Sequence, residues 1–230
     1  MAQRIKKALA VLWQVNWIKT FVFNFHYLPT KVAIRIPVFV YRHTRLEELG
    51  GRIILDAPIY TGMIKIGRPG MGIIDPVSDR TMWQMGGASL LVVRGMLHIG
   101  SGGRISIGNK GNLTIGNNCT ISGRSSIVCH KAITVGDNCT FSWDILIMDT
   151  DFHPILNNQG VQINKSAEII IGNHVWIGCR STILKGCHIA DNTVVAAGSI
   201  VTTNLEKSDC VYGGQGRNIY VLKDDIFWKN

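Results

Sequence analysis

An aliphatic or aromatic residue returns every six positions through the C-terminal half of the chain: Ile115, Ile121 and Ile127, then Val135, Phe141 and Ile147, then Ile171, Ile177, Ile183, Ile189, Val195 and Val201. Two positions before most of these stands a small or apolar residue: Cys119, Ser125, Cys139, Ile145, Val175, Ser181, Cys187, Thr193 and Ser199. Residues two apart on an extended strand point the same way, so each pair faces an interior and the residue between them faces out. Gly follows the aliphatic residue in Ile115-Gly116, Val135-Gly136, Ile171-Gly172 and Ile177-Gly178, and pairs such as Asn117-Asn118 suit tight corners. Short strands joined by corners, three to a coil, make a triangular prism, an all-β solenoid.

The breaks in this period carry as much information as the period itself. From Ile127 to Val135 the step is eight, and from Ile147 to Ile171 it is 24, so both insertions fall at one corner of the prism. The longer one predicts an extruded loop over 148–167, and long loops in compact domains are commonly functional. Continuing the clock from Ile147 puts His153 where an interior aliphatic belongs and Asp151 in the preceding small-residue slot. Two polar groups cannot be buried there without partners, so the chain leaves the prism at this point and presents them at the corner. His153, within Asp149-Thr-Asp-Phe-His-Pro-Ile155, is therefore the first candidate for chemistry.

Upstream, Ile64-Lys-Ile-Gly67, Leu97-His-Ile-Gly100 and Ile105-Ser-Ile-Gly108 suggest two or three looser coils. A solenoid needs capped ends. The expected organisation is an N-terminal, partly helical cap over 1–55, a β-helix over 56–204 and a C-terminal tail over 205–230. Ile5, Leu9 and Leu12 share a helical face in the cap, and Leu28-Pro29 and Ile36-Pro37 interrupt the chain beyond it.

Composition narrows the function classes. The chain of 230 residues is 46% hydrophobic and 17% charged, which argues against disorder, and its apolar runs fall short of the roughly 18 residues of a membrane span. The opening residues have the charge-then-apolar order of a signal peptide, but Gln14 and Asn16 interrupt it and no small-residue cleavage site comes after them. Six cysteines without a C-x-x-C pair fit reduced, structural thiols in a cytoplasmic protein. The net charge of +9 suits a polyanionic ligand, anionic glycans or a membrane surface. Nucleic acid fits poorly, because the basic residues are dispersed and no recognition helix or aromatic stacking platform is present. Arg4, Lys6 and Lys7 beside Leu9, Leu12, Trp13 and Trp17 could make an interfacial helix in peripheral contact with a membrane, against the plainer reading of a helix packed on the prism end or on a neighbouring subunit.

The segment Ile171-Gly-Asn-His-Val-Trp-Ile-Gly-Cys-Arg-Ser-Thr-Ile-Leu-Lys-Gly-Cys-His-Ile-Ala-Asp-Asn-Thr-Val-Val-Ala-Ala-Gly-Ser-Ile-Val-Thr202 resembles the signature of the maltose and galactoside acetyltransferases, within the hexapeptide-repeat acyltransferase family. The resemblance covers about the last 130 residues. It implies a left-handed parallel β-helix, a homotrimer with intersubunit sites, acetyl-CoA as acyl donor and a catalytic His-Pro segment, here His153-Pro154. His153 would then be the general base, with Asp151 or Asp149 orienting its ring, the choice between them open. The same resemblance implies donor contacts at Trp176, Gly178, Cys179, Ala197 and Thr202. Thr203 stands where the family has a lysine near the nucleotide phosphates. The C-terminal Gly214-Gln-Gly-Arg-Asn-Ile219 lacks the family's proline but offers Arg217 to a phosphate.

The other six histidines have plainer readings: His98 and His188 lie on outward phases, His130 and His174 near corners, His26 and His43 in the N-terminal region. No H-x4-H spacing exists, which removes the ligand pattern of the γ-class carbonic anhydrases that share this fold, so no metal is expected. The stretch Trp17-Ile-Lys-Thr-Phe-Val-Phe-Asn-Phe-His-Tyr-Leu-Pro29 resembles that of capsular and lipopolysaccharide acetyltransferases and points to a surface-polysaccharide sugar as acceptor. Serine, a free sugar or an antibiotic are alternative acceptors, and a non-catalytic β-helix scaffold is the alternative of another class.

Overall fold

In a computed structural model of the chain, which describes residues 13–70 and 72–229, the six-residue clock is a stack of coils. The first coil is β1 (Val38–Val40), β2 (Thr44–Leu49) and β3 (Arg52–Leu55), and the second is β4 (Ile64–Arg68), β5 (Thr81–Met85) and β6 (Leu90–Val93). The third is β7 (Leu97–Gly100), β8 (Arg104–Ile107) and β9 (Asn112–Ile115), and the fourth β10 (Cys119–Ile121), β11 (Ser126–Cys129) and β12 (Ala132–Val135). The fifth is β13 (Thr140–Phe141), β14 (Leu146–Met148) and β15 (Ile169–Ile171), and the sixth β16 (Trp176–Ile177), β17 (Thr182–Leu184) and β18 (His188–Ile189). A last coil begins with β19 (Val194–Val195) and β20 (Ile200–Val201); β21 (Val211–Gln215) pairs with both, and β22 (Asn218–Lys223) returns antiparallel on β21.

From β1 to β20 each strand pairs in parallel with the strand three places later, which generates three faces. The first face runs β1, β4, β7, β10, β13, β16, β19; the second β2 to β20; the third β3 to β18. The upstream looser coils are the second and third of this stack. The first coil, 38–55, lies within the segment that the sequence reading gives to the cap, so stacking starts at Val38.

The interior holds the residues that the period selects. All twelve sixth-position residues from Ile115 to Val201 are buried, and so are the nine small or apolar residues two positions earlier. Each fully buried aliphatic contributes roughly 1.5–3 kcal/mol, and identical phases stack the contributions along one column. The cysteines are free thiols, and those in the small-residue slots find carbonyls in the next coil: Cys119 Sγ donates to Gly136 O and Cys139 Sγ to Gly172 O, both at 3.2 Å.

The corners use the left-handed backbone region. Asn118, Asn138, His174 and Asn192 stack at one edge with φ of 56°, 58°, 53° and 55°, and Arg124, Asp144 and Arg180 stack at another with 56°, 58° and 58°. This conformation costs a non-glycine residue roughly 1–2 kcal/mol, least for Asn and Asp. Side-chain ladders offset it: Asn118 Nδ2 donates to Asn138 Oδ1 at 2.9 Å, and Arg124 grips Asp144 with two bonds of 2.8 and 2.9 Å.

The N-terminal end is closed by a helix that the sequence reading did not place, α1 (Trp17–Tyr27), followed by the short α2 (Thr30–Ala33). Asn16 caps α1 by accepting from Lys19 N at 3.0 Å, and Leu28-Pro29 ends it. Its buried face carries Thr20, Phe23 and Asn24. Asn24 accepts from Val38 N and donates to Val38 O, and Thr20 Oγ1 accepts from Val40 N, so α1 satisfies the open edge of β1. The expected helical face of Ile5, Leu9 and Leu12, with Arg4, Lys6 and Lys7, lies outside the described residues. No helix among the described residues is long and apolar enough to cross a membrane.

Candidate functional site

The 148–167 insertion leaves the prism between β14 and β15, at the edge joining the second and third faces. It forms a narrow extrusion. Leu156 and Gln162 make an antiparallel bridge, and Asn157 Oδ1 turns the tip by accepting from Gln159 N and Val161 N. Asn164 closes the base: its Oδ1 accepts from Ile155 N at 2.6 Å while its Nδ2 donates to His153 O at 2.8 Å and to Asp151 Oδ2 at 2.9 Å. Lys185, one coil on at the same edge, pairs with Asp151 and also donates to Asn164 O at 2.9 Å. Lys185 and Asn164 were not singled out in the sequence. The clock does mark Lys185, since it follows Ile183 by two as Asp149 follows Ile147.

His153 is exposed at the start of this extrusion, its backbone N–H donating to Asp151 O at 2.7 Å. Phe152 beside it has φ +62° and meets the His130 ring edge-on at 4.8 Å. Both nearby carboxylates have partners other than the imidazole. Asp149 is fully buried and accepts from His130 N and Lys131 N, both at 2.7 Å, which fastens the corner of the preceding coil. Asp151 is held by Lys185 and Asn164, and the Lys185 hydrogen bond, ahead of that from Asn164, keeps its carboxyl below the usual range. Asp149 is thus a corner lock and Asp151 a loop clamp.

The residues expected to contact the donor lie elsewhere on the prism. Gly178 and Cys179, after β16, and Ala197, after β19, share the edge between the first and second faces. Gly178 N donates to Val195 O at 2.8 Å and Gly198 N to Cys179 O at 2.9 Å, tying these corners together. The N–H groups of Cys179 and Ala197 make no hydrogen bond among the described residues, and Cys179 is half-buried while Ala197 is exposed. Two such donors at one edge suit the carbonyls of an amide-bearing chain such as pantetheine. Trp176, 39% exposed on the first face, donates from Nε1 to Ser142 Oγ at 3.1 Å. The C-terminal tail crosses beside it: Trp228 stacks on His174 at 4.2 Å, lies 5.9 Å from Trp176, and donates to His174 O.

Thr202 and Thr203 are exposed after β20, at the same edge as the His153 loop, and Arg217 is exposed in the β21–β22 turn. Within one chain the structure therefore groups Gly178, Cys179 and Ala197 at one edge and His153, Thr202 and Thr203 at another.

Comparison with known proteins matches residues 168–203 to the bacterial transferase hexapeptide (six repeats) and residues 112–141 to the hexapeptide repeat of succinyl-transferase. Over 41 residues, 17% of this chain and 19% of the relative, it is 54% identical to a polysialic acid O-acetyltransferase of Neisseria meningitidis. Over 59 residues, 26% of this chain and 29% of the relative, it is 42% identical to a galactoside O-acetyltransferase of Escherichia coli. The matched stretches thus span less than a third of these relatives. The crystal structure of a polySia-specific acetyltransferase superposes with a TM-score of 0.54 at 22% identity, covering 82% of this chain and 89% of that one, a likeness of fold. The superposition gives the chain the fold of that acetyltransferase, a left-handed parallel β-helix, and the two matched stretches within it are hexapeptide repeats.

Proposed function

We propose that the chain is an acetyl-CoA-dependent O-acetyltransferase, acting as a homotrimer on a sugar hydroxyl of a surface polysaccharide or its precursor. The observation that carries the reading is the exposed His153 at a corner where the repeat is broken by a long, hydrogen-bonded extrusion. The matched relatives, named as O-acetyltransferases of polysialic acid and galactosides, support the acceptor class.

The chemistry needs one base and one oxyanion donor. A sugar hydroxyl is a poor nucleophile near neutral pH, and an imidazole is suited to take its proton as the oxygen attacks the thioester carbonyl. The new C–O bond forms and the carbonyl electrons move to oxygen, where a backbone N–H stabilises the tetrahedral oxyanion. Collapse breaks the C–S bond, and the imidazolium of His153 returns its proton to the departing thiolate of coenzyme A. Asp151 acts through the loop, as the clamp that sets the position of His153.

The placement of these groups supports the trimer. His153 and the free N–H groups of Cys179 and Ala197 occupy different edges of one prism, so a second copy brings the base of one chain to the donor edge of the next. The extrusion also presents Phe152, Ile155, Leu156, Val161 and Ile163, each more than half exposed, as a surface that a neighbouring prism would cover. The exposed Ile18, Phe21, Val22 and Phe25 of α1 supply an apolar surface for peripheral membrane contact near lipid-linked sugars.

The test is incubation with labelled acetyl-CoA and a panel of sugars and glycans, with identification of the acetylated product. Acetyl transfer to a glycan hydroxyl supports the reading. A folded protein that neither transfers nor hydrolyses acetyl-CoA with any acceptor favours a scaffold.

A further inference from the structure

Far from the His153 loop, the first face carries a basic cluster that the acetyl-transfer chemistry does not use. Lys65 on β4 and His98 on β7 are cross-strand neighbours on the outward side, and Thr120 on β10 is next in the same row. Lys65 Nζ lies 3.1 Å from His98 Nε2, and Arg68 Nη1 lies 3.3 Å from His98 Nδ1. A neutral imidazole has one N–H and one lone pair, whereas ammonium and guanidinium groups only donate. One of the two contacts therefore sets a donor against a donor. Neither Lys65 nor Arg68 forms an ion pair among the described residues. Three basic side chains thus converge without a counter-charge.

Two of them, Arg68 and His98, line a cleft, and Lys65 stands behind His98. A volume of about 240 Å³ is lined by Arg68, His98, Thr120 and Ser122, with Pro69 and Gly70 at its rim. One wall of the cleft, Pro69 and Gly70, comes from a break in the repeat. The chain between β4 and β5 leaves the prism after Arg68, and its described residues lean over the following coils, Ile74 against Gly123 and Asp79 beside Gly102. Its acids are engaged elsewhere: Asp75 accepts from Val77 N and Ser78 Oγ within its own turn, and Asp79 faces Arg124.

We propose that this cleft is an oxyanion site, in which a carboxylate or phosphoryl group accepts from Arg68 and from the N–H of His98 with Lys65 adding charge, and Thr120 and Ser122 supplying hydroxyls. An acceptor oxygen between Arg68 and the ring removes the donor–donor conflict that the three basic groups otherwise contain. Burial and the neighbouring cations hold the His98 pKa down to about 4, and the opposite charge of a bound anion would offset that shift by favouring the imidazolium.

The row continues from Thr120 to Thr140 and Trp176 in strand register. At roughly 4.8 Å per coil, His98 lies about 14 Å from Trp176 along the axis. Under the acetyltransferase reading the group bound here belongs either to an anionic residue of the acceptor or to a phosphate of the donor. The binding chemistry is the same in both.

The first measurement is independent of acetyl transfer: titrate the full chain with inorganic pyrophosphate and follow the His98 ring C–H resonances by NMR. The expected result is a saturable shift with a rise in the His98 titration midpoint, lost in Arg68→Gln and retained in Arg68→Lys. An unmoved His98 midpoint overturns the site. Calorimetry then separates the sources, using a carboxylated uronate oligosaccharide against its carboxyl-reduced form, and coenzyme A against its 3′-dephospho form. Arg68→Gln and Lys65→Gln should weaken one charged ligand about tenfold, toward the affinity of its uncharged or less charged counterpart. The ligand weakened identifies the source, and unchanged affinity for both charged ligands overturns the proposal. A protein that binds pyrophosphate at His98 yet transfers no acetyl group would sink the acetyltransferase reading and leave this site standing.

Discussion

The carboxylate of Asp151 is paired with the ammonium of Lys185, one coil further along the prism, and not with the imidazole of His153 two residues away. The loop that carries the candidate base is thus fastened to the β-helix by an ion pair and by Asn164, which joins Asp151, His153 and Ile155 through one side chain. Base and clamp are separate functions, and they separate experimentally.

His153→Ala and His153→Asn should each lower kcat by about 10² to 10⁴, the usual contribution of a general base, with circular dichroism and oligomeric mass unchanged because the side chain is exposed on the extrusion. An asparagine can hydrogen-bond the acceptor hydroxyl but cannot take its proton. His174→Ala and His188→Ala should lose less than about tenfold, a barrier change near 1.4 kcal/mol. Steady-state kinetics of the four variants check the assignment, and near-native turnover by His153→Ala would end it.

Lys185→Ala should lower activity by about tenfold through misplacement of the loop, with increased proteolytic nicking between 150 and 166 and partial rescue by Lys185→Arg. The clamp should persist under mild acid. The Asp151 carboxyl is depressed by its bond to Lys185, so its contribution is present above the unfolded value and lost only as pH falls through the lower folded one. Limited proteolysis at neutral and mildly acid pH should therefore give the same loop pattern in the unaltered protein.

The six-residue clock could be followed in the sequence because each coil is local: inward phase, corner and insertion all occur within about twenty residues, and the buried set from Ile115 to Val201 answers to it residue by residue. The first coil was hidden because its outward residue is also buried. Phe39 is covered by α1, with the Trp17 ring 5.8 Å away, so Val38-Phe39-Val40 lacks the alternation of a strand with one face in water. The cap Asn16 and the stop at Pro29 were the available signals for α1. The role of Asp149 was illegible for another reason: its partners, His130 and Lys131, come from the preceding coil, and only the stacking register brings them to the carboxylate.

Asp149→Ala should therefore act on stability before chemistry. It leaves two inward N–H groups without an acceptor, and charged hydrogen bonds of this kind make the loss about 2–5 kcal/mol. Thermal denaturation reads it as a lowered Tm. Asp149→Asn should lie between, since an amide replaces one acceptor oxygen with a donor that opposes an N–H. If Asp149→Ala kept the native Tm and lost turnover, the carboxylate would belong to the catalytic machinery instead.

His98 gives a pH dependence whose sign is fixed by its environment. Burial first, then Lys65 and Arg68, lower its pKa from 6.5 to about 4, so between these values the unfolded chain binds a proton that the folded chain refuses. Stability then falls as pH falls through that window. His98→Gln, which carries no titrating ring, should flatten this part of the Tm profile, and an identical slope in variant and parent would contradict the half-buried, cation-flanked placement.

Gly178 and Gly198 make a paired test of the donor edge. A Cβ on Gly178 would lie 2.6 Å from Ala197 N and 2.8 Å from Val195 O, both backbone atoms, so Gly178→Ala must push the last two coils apart. Gly198 has nothing within 4 Å of the same position, but its φ of +73° makes Gly198→Ala a matter of backbone strain, roughly 1–2 kcal/mol. Both variants should lower Tm, and Gly178→Ala should lower it more. Their effects on acetyl-CoA should differ in kind. Separating the coils moves the free N–H of Ala197 away from that of Cys179, so Gly178→Ala should weaken acetyl-CoA binding measured by calorimetry, whereas Gly198→Ala, whose added methyl meets no neighbour, should leave it within about threefold. Equal affinities in the two variants would mean that the spacing of these two donors does not govern binding of the thioester.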